Sequence, residues 1–267
     1  MNDTKHIMYI LENVEGNSYS NLIQNFNGKV SQLKSAYNYL KQNKIISYED
    51  KFSVNNSIKS LVLTKNKYVK VFANGNRAVK IEEEFIVISK ELKNLEFGSV
   101  YLSGNKNYNP KARVNSINVY RLYNQKMEKI PISLELIKDR EKDNLKFIAE
   151  PKPAIQRGDF VKFSYYLWLD NYYAKNREEA IEKYDEEYIG EGIMMYYKAL
   201  KFNISVRFPV NYKYIDAGKY YYHGDLEHFS LSNLMVYEKF EANLKKLVYT
   251  IKNPDQGVYF IRWIPGN

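Results

Sequence analysis

Residues 18–54 read SYSNLIQNFNGKVSQLKSAYNYLKQNKIISYEDKFSV, and the fold expected of the N-terminal part of the chain turns on this stretch. Val30, Leu33, Ala36, Tyr37 and Leu40 recur three and four apart, which places them on one face of a helix over about 29–42. The opposite face carries Ser31, Gln32, Lys34, Ser35, Asn38, Lys41 and Gln42, with no acidic residue. A helix that only meets water more often carries Glu–Lys pairs one turn apart. A shorter helix over about 19–26 is predicted to bury Leu22, Ile23 and Phe26, with Ser18 at its N-cap. Asn27-Gly28 supplies the sharp turn between the two helices. Beyond them, Ile45-Ile46-Ser47-Tyr48 and Phe52-Ser53-Val54 flank the polar tip Glu49-Asp50-Lys51, the pattern of a small hairpin. Upstream, Ile7, Met8, Ile10 and Leu11 predict a first helix over 4–12.

Three helices followed by a hairpin resemble the winged helix-turn-helix family. The segment Leu33 to Ile46, LKSAYNYLKQNKII, looks like that family's third helix running into its wing. The resemblance covers about the first quarter of the chain and implies contact with double-stranded DNA. Gln32 and Asn38 can bond adenine edges, Ser31 and Ser35 either base type, and Lys34, Lys41, Lys44 and Lys51 can reach phosphates. Glu49 and Asp50 at the wing tip oppose minor-groove contact, and winged helices also dock proteins, so a protein partner stays open.

From Ser60 the period changes to that of strands. Residues 61–63 and 68–72, the turn Ala73-Asn74-Gly75-Asn76, and residues 77–81 and 85–88 predict a short β connector or accessory sheet over 61–96. Short strands then follow at 100–102, 114–123, 132–137, 145–148 and 160–168. Phe202, Ile204, Val206 and Phe208 share one face of another, and 247–251 with 258–264 are expected to pair as a hairpin across Asn253 to Gly257. The expected fold class is α+β: a winged helix-turn-helix over 1–60, followed by a mostly antiparallel, broadly immunoglobulin-like β-sandwich over 97–267. One charged excursion interrupts it at 175–192, KNREEAIEKYDEEY over 175–188, read either as a solvated helix or as a docking surface for a basic partner.

The 267 residues carry a net charge of +9, which fits an anionic partner, although no dense Lys/Arg run appears. The absence of cysteine excludes disulfides, thiol nucleophiles and thiolate metal sites. No signal-peptide pattern and no apolar run of membrane-spanning length are present, so a cytoplasmic protein with no membrane partner is expected. No phosphate-binding, dinucleotide or hydrolase motif occurs, and no cofactor is called for. The densest titratable cluster is YYYHGDLEH over 220–228. It gathers His223, Asp225, Glu227 and His228 as candidates for a metal or acid–base site, or simply a polar loop. The runs Tyr165-Tyr166, Tyr172-Tyr173 and Tyr220-Tyr221-Tyr222, with Lys162, Lys175 and Lys219 nearby, can stack on bases or fill a sandwich core. These features point first to a non-enzymatic DNA-binding regulator with a β-rich sensing or dimerisation domain. The alternative is an adaptor, both of whose parts bind protein, of the kind used in bacterial antiviral defence.

Overall fold

A computed structural model describes residues 2–266, apart from 49–51, 56–57, 102–110, 124, 140–143, 196–198, 225 and 243. The chain opens with α1 (Asn2–Asn13), α2 (Tyr19–Gln24) and α3 (Val30–Gln42), then β1 (Ile46–Tyr48) and β2 (Phe52–Val54), which among the described residues pair with each other alone. Next come β3 (Ser60–Val71), β4 (Arg77–Val87), β5 (Glu91–Leu92), β6 (Leu95–Tyr101), β7 (Ala112–Tyr123) and β8 (Lys126–Lys129). They are followed by β9 (Ile132–Asp139), β10 (Asn144–Pro151), β11 (Ile155–Gln156), β12 (Phe160–Leu169) and the helix α4 (Arg177–Tyr184). The chain ends with β13 (Ile189–Met195), β14 (Lys201–Arg207), β15 (Tyr214–Tyr222), β16 (Met235–Lys239), β17 (Lys246–Lys252) and β18 (Gly257–Pro265).

The expected fold, a winged helix-turn-helix followed by a β-sandwich, is corrected by this arrangement. Strand makes up 51% of the chain and helix 19%, in four helices, and the helical part is a short N-terminal region of a mostly β protein. The physical reason lies in what the helices pack on. Ile10 and Leu11 of α1, Leu22 of α2, and Leu33 and Leu40 of α3 share one core with Leu61, Leu63, Ile86, Ile88 and Phe160 of the β-rich part. A period of 3.6 residues shows which face of a helix is apolar but not what covers it. Here the sheet covers it, and Arg157 fastens the contact. Its Nε donates to the Ile88 carbonyl at 2.8 Å, and its Nη1 lies 2.5 Å from Glu15, just past α1.

The main sheet has seven strands in the order β17-β14-β3-β4-β12-β7-β8, all neighbours antiparallel except the parallel pair β14–β3. Residues 61–96, read as a connector, therefore supply two central strands. Their turn is the expected Asn74-Gly75. Gly75 has φ +81°, and a Cβ there would meet the Tyr173 carbonyl oxygen at 2.5 Å, so glycine alone fits. Across the core lie a four-stranded sheet, β13-β18-β15-β16, and a three-stranded one, β6-β10-β9. Phe202 of β14 meets Tyr259 of β18 at 4.6 Å between ring centroids, and Phe97 of β6 meets Tyr165 of β12 at 4.6 Å. The expected hairpin of 247–251 with 258–264 does not form. β17 pairs with β14 and β18 with β13 and β15, so the turn between them carries the chain from one sheet to the other.

Candidate functional site

Most of the residues expected to read DNA sit on the outer face of α3, and Lys44 lies just past its C-cap. Ser31, Lys34, Ser35, Asn38, Lys41 and Lys44 are exposed, Gln32 is half-buried, and Lys51 lies outside the described residues. The Ser35 hydroxyl already donates to the Ser31 carbonyl, 3.1 Å away. Of the candidates in the cluster at 220–228, the side chains of His223 and His228 are described. His223 Nε2 lies 3.1 Å from the Tyr259 hydroxyl, which itself donates to the Asp255 carbonyl at 2.8 Å. His228 closes a short 3-10 turn at 226–228. Asp225 and the side chain of Glu227 lie outside what is described. Among the described residues, no three His, Asp or Glu side chains are grouped to hold a metal. Three of the six acids in the excursion over 175–188 have cationic partners, one of them from β18. Glu179 pairs with Lys183 at 2.6 Å, Glu186 with Arg262 and Glu187 with Arg177, while Ala180 is buried in the core. Several of the tyrosines fill the interior: Tyr165, Tyr173 and Tyr220 are buried.

Between the two large sheets lies a charged group that no motif announced. The Glu191 carboxylate of β13 is 2.5 Å from Lys67 Nζ of β3 and 2.5 Å from Arg77 Nε of β4. Arg77 also donates through Nη2 at 2.6 Å, and the Tyr173 hydroxyl donates to the same carboxylate. Lys67 reaches on to the Gly192 carbonyl at 2.8 Å, and the Arg77 guanidinium lies over the Tyr172 ring at 4.5 Å. Burial alone would push the Glu191 pKa up. Arg77 and then Lys67 outweigh it and hold the group ionised, at about 2. Glu191 and Arg77 are both buried, which makes the cluster a clamp between the sheets rather than a site for a ligand.

The outer face of the seven-stranded sheet is different, because it is open along a groove. Register places Lys246 of β17, Arg207 of β14 and Lys70 of β3 directly opposite one another on three adjacent strands. The neighbouring row, one pleat along, runs Ser205, Tyr68, Lys80, Tyr166, so that a tyrosine flanks Lys80 on each side. Ala78 and Ser205 are small, and the larger side chains around them wall a groove of about 410 Å³, with Val69 in its lining. Lys80 is paired with Glu82 at 2.6 Å. Among the described residues no carboxylate lies within ion-pair reach of Lys70, Arg207 or Lys246; Lys70 Nζ rests instead over the Phe72 ring at 4.8 Å. Like charges directly opposite in a sheet destabilise it. Three in a row without a counter-charge are a cost to folding that an anionic ligand would remove. Of the tyrosine runs that stand out in the sequence, only Tyr166 contributes a ring to this site. Tyr68 and the three cations of the row are scattered along the chain and carry no local signal.

No family model matches the sequence, and no curated protein matches it. Solved structures with some likeness include an M1 zinc metallopeptidase from Deinococcus radiodurans, 10% identical, with a TM-score of 0.38. That match covers 77% of this chain and 42% of the other. Another is the native yeast LTA4 hydrolase, 9% identical, with a TM-score of 0.34 over 77% of this chain and 29% of that one. This chain thus spans less than half the length of either. The likeness is too loose to carry any function across.

Proposed function

We propose that this is a non-enzymatic nucleic-acid-binding protein whose binding surface is the open face of the seven-stranded sheet. The observation that carries the reading is the cross-strand row Lys246–Arg207–Lys70, without carboxylate partners among the described residues. The net charge of +9 agrees with an anionic partner. Phosphates seated on the row would replace repulsion between neighbouring strands by attraction. The helix α3 contributes Lys34 and Lys41 on its exposed face, but its lysines are spaced along a helix rather than gathered around a hollow.

The test is fluorescence anisotropy of a labelled short oligonucleotide titrated with the protein at 50 and 200 mM salt. Three or four neutralised phosphates on a single strand give a log–log slope of about −2 to −3, so affinity is expected to fall roughly 15- to 60-fold between the two. Absent binding at 50 mM, or binding indifferent to salt, would overturn the reading. One observation favours the adaptor instead. The edge strand β16 leaves Met235, Val236 and Tyr237 exposed beside an edge that pairs with no further strand among the described residues, a surface to which a partner strand can add. No helix among the described residues is long and apolar enough to cross a membrane.

A further inference from the structure

The groove holds more than charge. Tyr68 and Tyr166 stand directly opposite Lys80 on its two neighbouring strands. Tyr68 is 40% exposed, and Tyr166 is half-buried and lines the same groove. Neighbouring strands lie about 4.8 Å apart, so the two residues stand about 10 Å from each other across the sheet with Lys80 between them. The aromatic character continues along the cation row. Beyond Ala78 comes Trp168, whose ring lies tilted against Phe72 at 4.8 Å between centroids and is covered at 5.5 Å by the Arg113 guanidinium.

A surface meant only for phosphates needs no exposed aromatic ring, and an apolar docking surface would not be ringed by cations without counter-charges. The combination of the two is the chemistry of stacked bases on a charged backbone. A duplex would gain little here, because its base faces are turned into its own stack. An acidic peptide could satisfy Lys70, Arg207 and Lys246 but would leave the tyrosines without planar partners. We infer that the groove takes single-stranded nucleic acid, with phosphates on Lys246, Arg207 and Lys70 and bases stacked on Tyr68 and Tyr166. This rests on the proposed polyanion-binding role of the same face and narrows it to a ligand class.

The experiment compares two probes on three proteins. The probes are a short oligo-dT and inorganic polyphosphate, which has the charge without the bases. The proteins are the unaltered chain, Tyr68→Ala/Tyr166→Ala and Tyr68→Phe/Tyr166→Phe. The alanine pair is expected to lose about 100-fold in oligo-dT affinity while polyphosphate affinity stays within about twofold, and the phenylalanine pair, which keeps both ring faces, is expected to bind as the unaltered chain does. If the alanine pair fails to fold, Tyr68→Ala alone, at an exposed position, is expected to lose about tenfold. Equal loss for both probes, or no loss for either, overturns base stacking while leaving a polyanion site. Two further probes, poly-glutamate and duplex DNA, are titrated against the unaltered chain alone, and tighter binding of either than of oligo-dT also overturns it. If none of the polyanions binds even the unaltered chain, the underlying reading falls as well.

Discussion

Glu191→Gln is expected to lower the melting temperature by about 10 °C at pH 7. The substitution keeps the volume of the side chain and removes only its charge. Lys67 and Arg77, at the junction of β3, β4 and β13, would then face each other with no counter-ion. Breaking a buried pair from one side costs about 3–5 kcal/mol, and a chain of this size loses about 2–4 °C per kcal/mol. Removing one stranded cation as well, in Glu191→Gln/Lys67→Met, is expected to restore part of the loss, because the two positions share one network. The same carboxylate is expected to contribute to the acid sensitivity of the fold. Its folded pKa of about 2 lies below the ordinary 4.5, so its stabilisation is fully present above about pH 4.5 and is lost as pH falls from there toward 2. Calorimetric scans from about pH 7 down to about pH 3 should show the melting temperature of the parent falling through that window and that of Glu191→Gln falling less. A Glu191→Gln melting temperature within about 2 °C of the parent would mean that no clamp joins the sheets there.

Arg207→Glu has the opposite signature: binding collapses while stability holds or rises. Arg207 stands between Lys246 and Lys70 in direct register, so a carboxylate there turns two repulsive neighbours into two ion pairs. Cross-strand pairs contribute about 0.2–1 kcal/mol each, so two of them correspond to a melting temperature unchanged or higher by about 1–8 °C. The same change removes one phosphate contact and neutralises the two beside it. Oligonucleotide affinity at low salt is expected to drop at least roughly 30-fold, with a salt slope shallower than about −1. A gain in stability that accompanies a loss of binding is what a surface kept under tension for its ligand should show. Loss of both together would mean that Arg207 is structural.

Much of the secondary structure is legible along the chain because it is written in local periods. The alternation Phe202, Ile204, Val206, Phe208 marks a strand with all four side chains buried, and Asn74-Gly75 marks a turn that forms where expected. The apolar face of α3 is legible for the same reason. What covers that face is not, since Leu61, Ile86 and Phe160 come from strands further along the chain. The unexpected pairing of β17 has the same origin. Its pattern indicates a half-buried strand followed by a turn but cannot say that the next strand joins another sheet. The candidate site is least legible of all. Lys70, Arg207 and Lys246 form no run in sequence, and the basic patch exists only across β3, β14 and β17 once register is set. Likewise Tyr165 and Tyr166 look equivalent in sequence, yet the two-residue period sends one ring into the core and the other to the open face.

Lysine acetylation footprinting, with and without a saturating oligonucleotide and read by mass spectrometry, asks directly which surface is covered. Binding on the open sheet face predicts strong protection of Lys70 and Lys246, and none of Lys34 and Lys41 on α3. Protection of Lys34 and Lys41 with Lys70 and Lys246 still fully reactive would contradict it and return the binding surface to the helix.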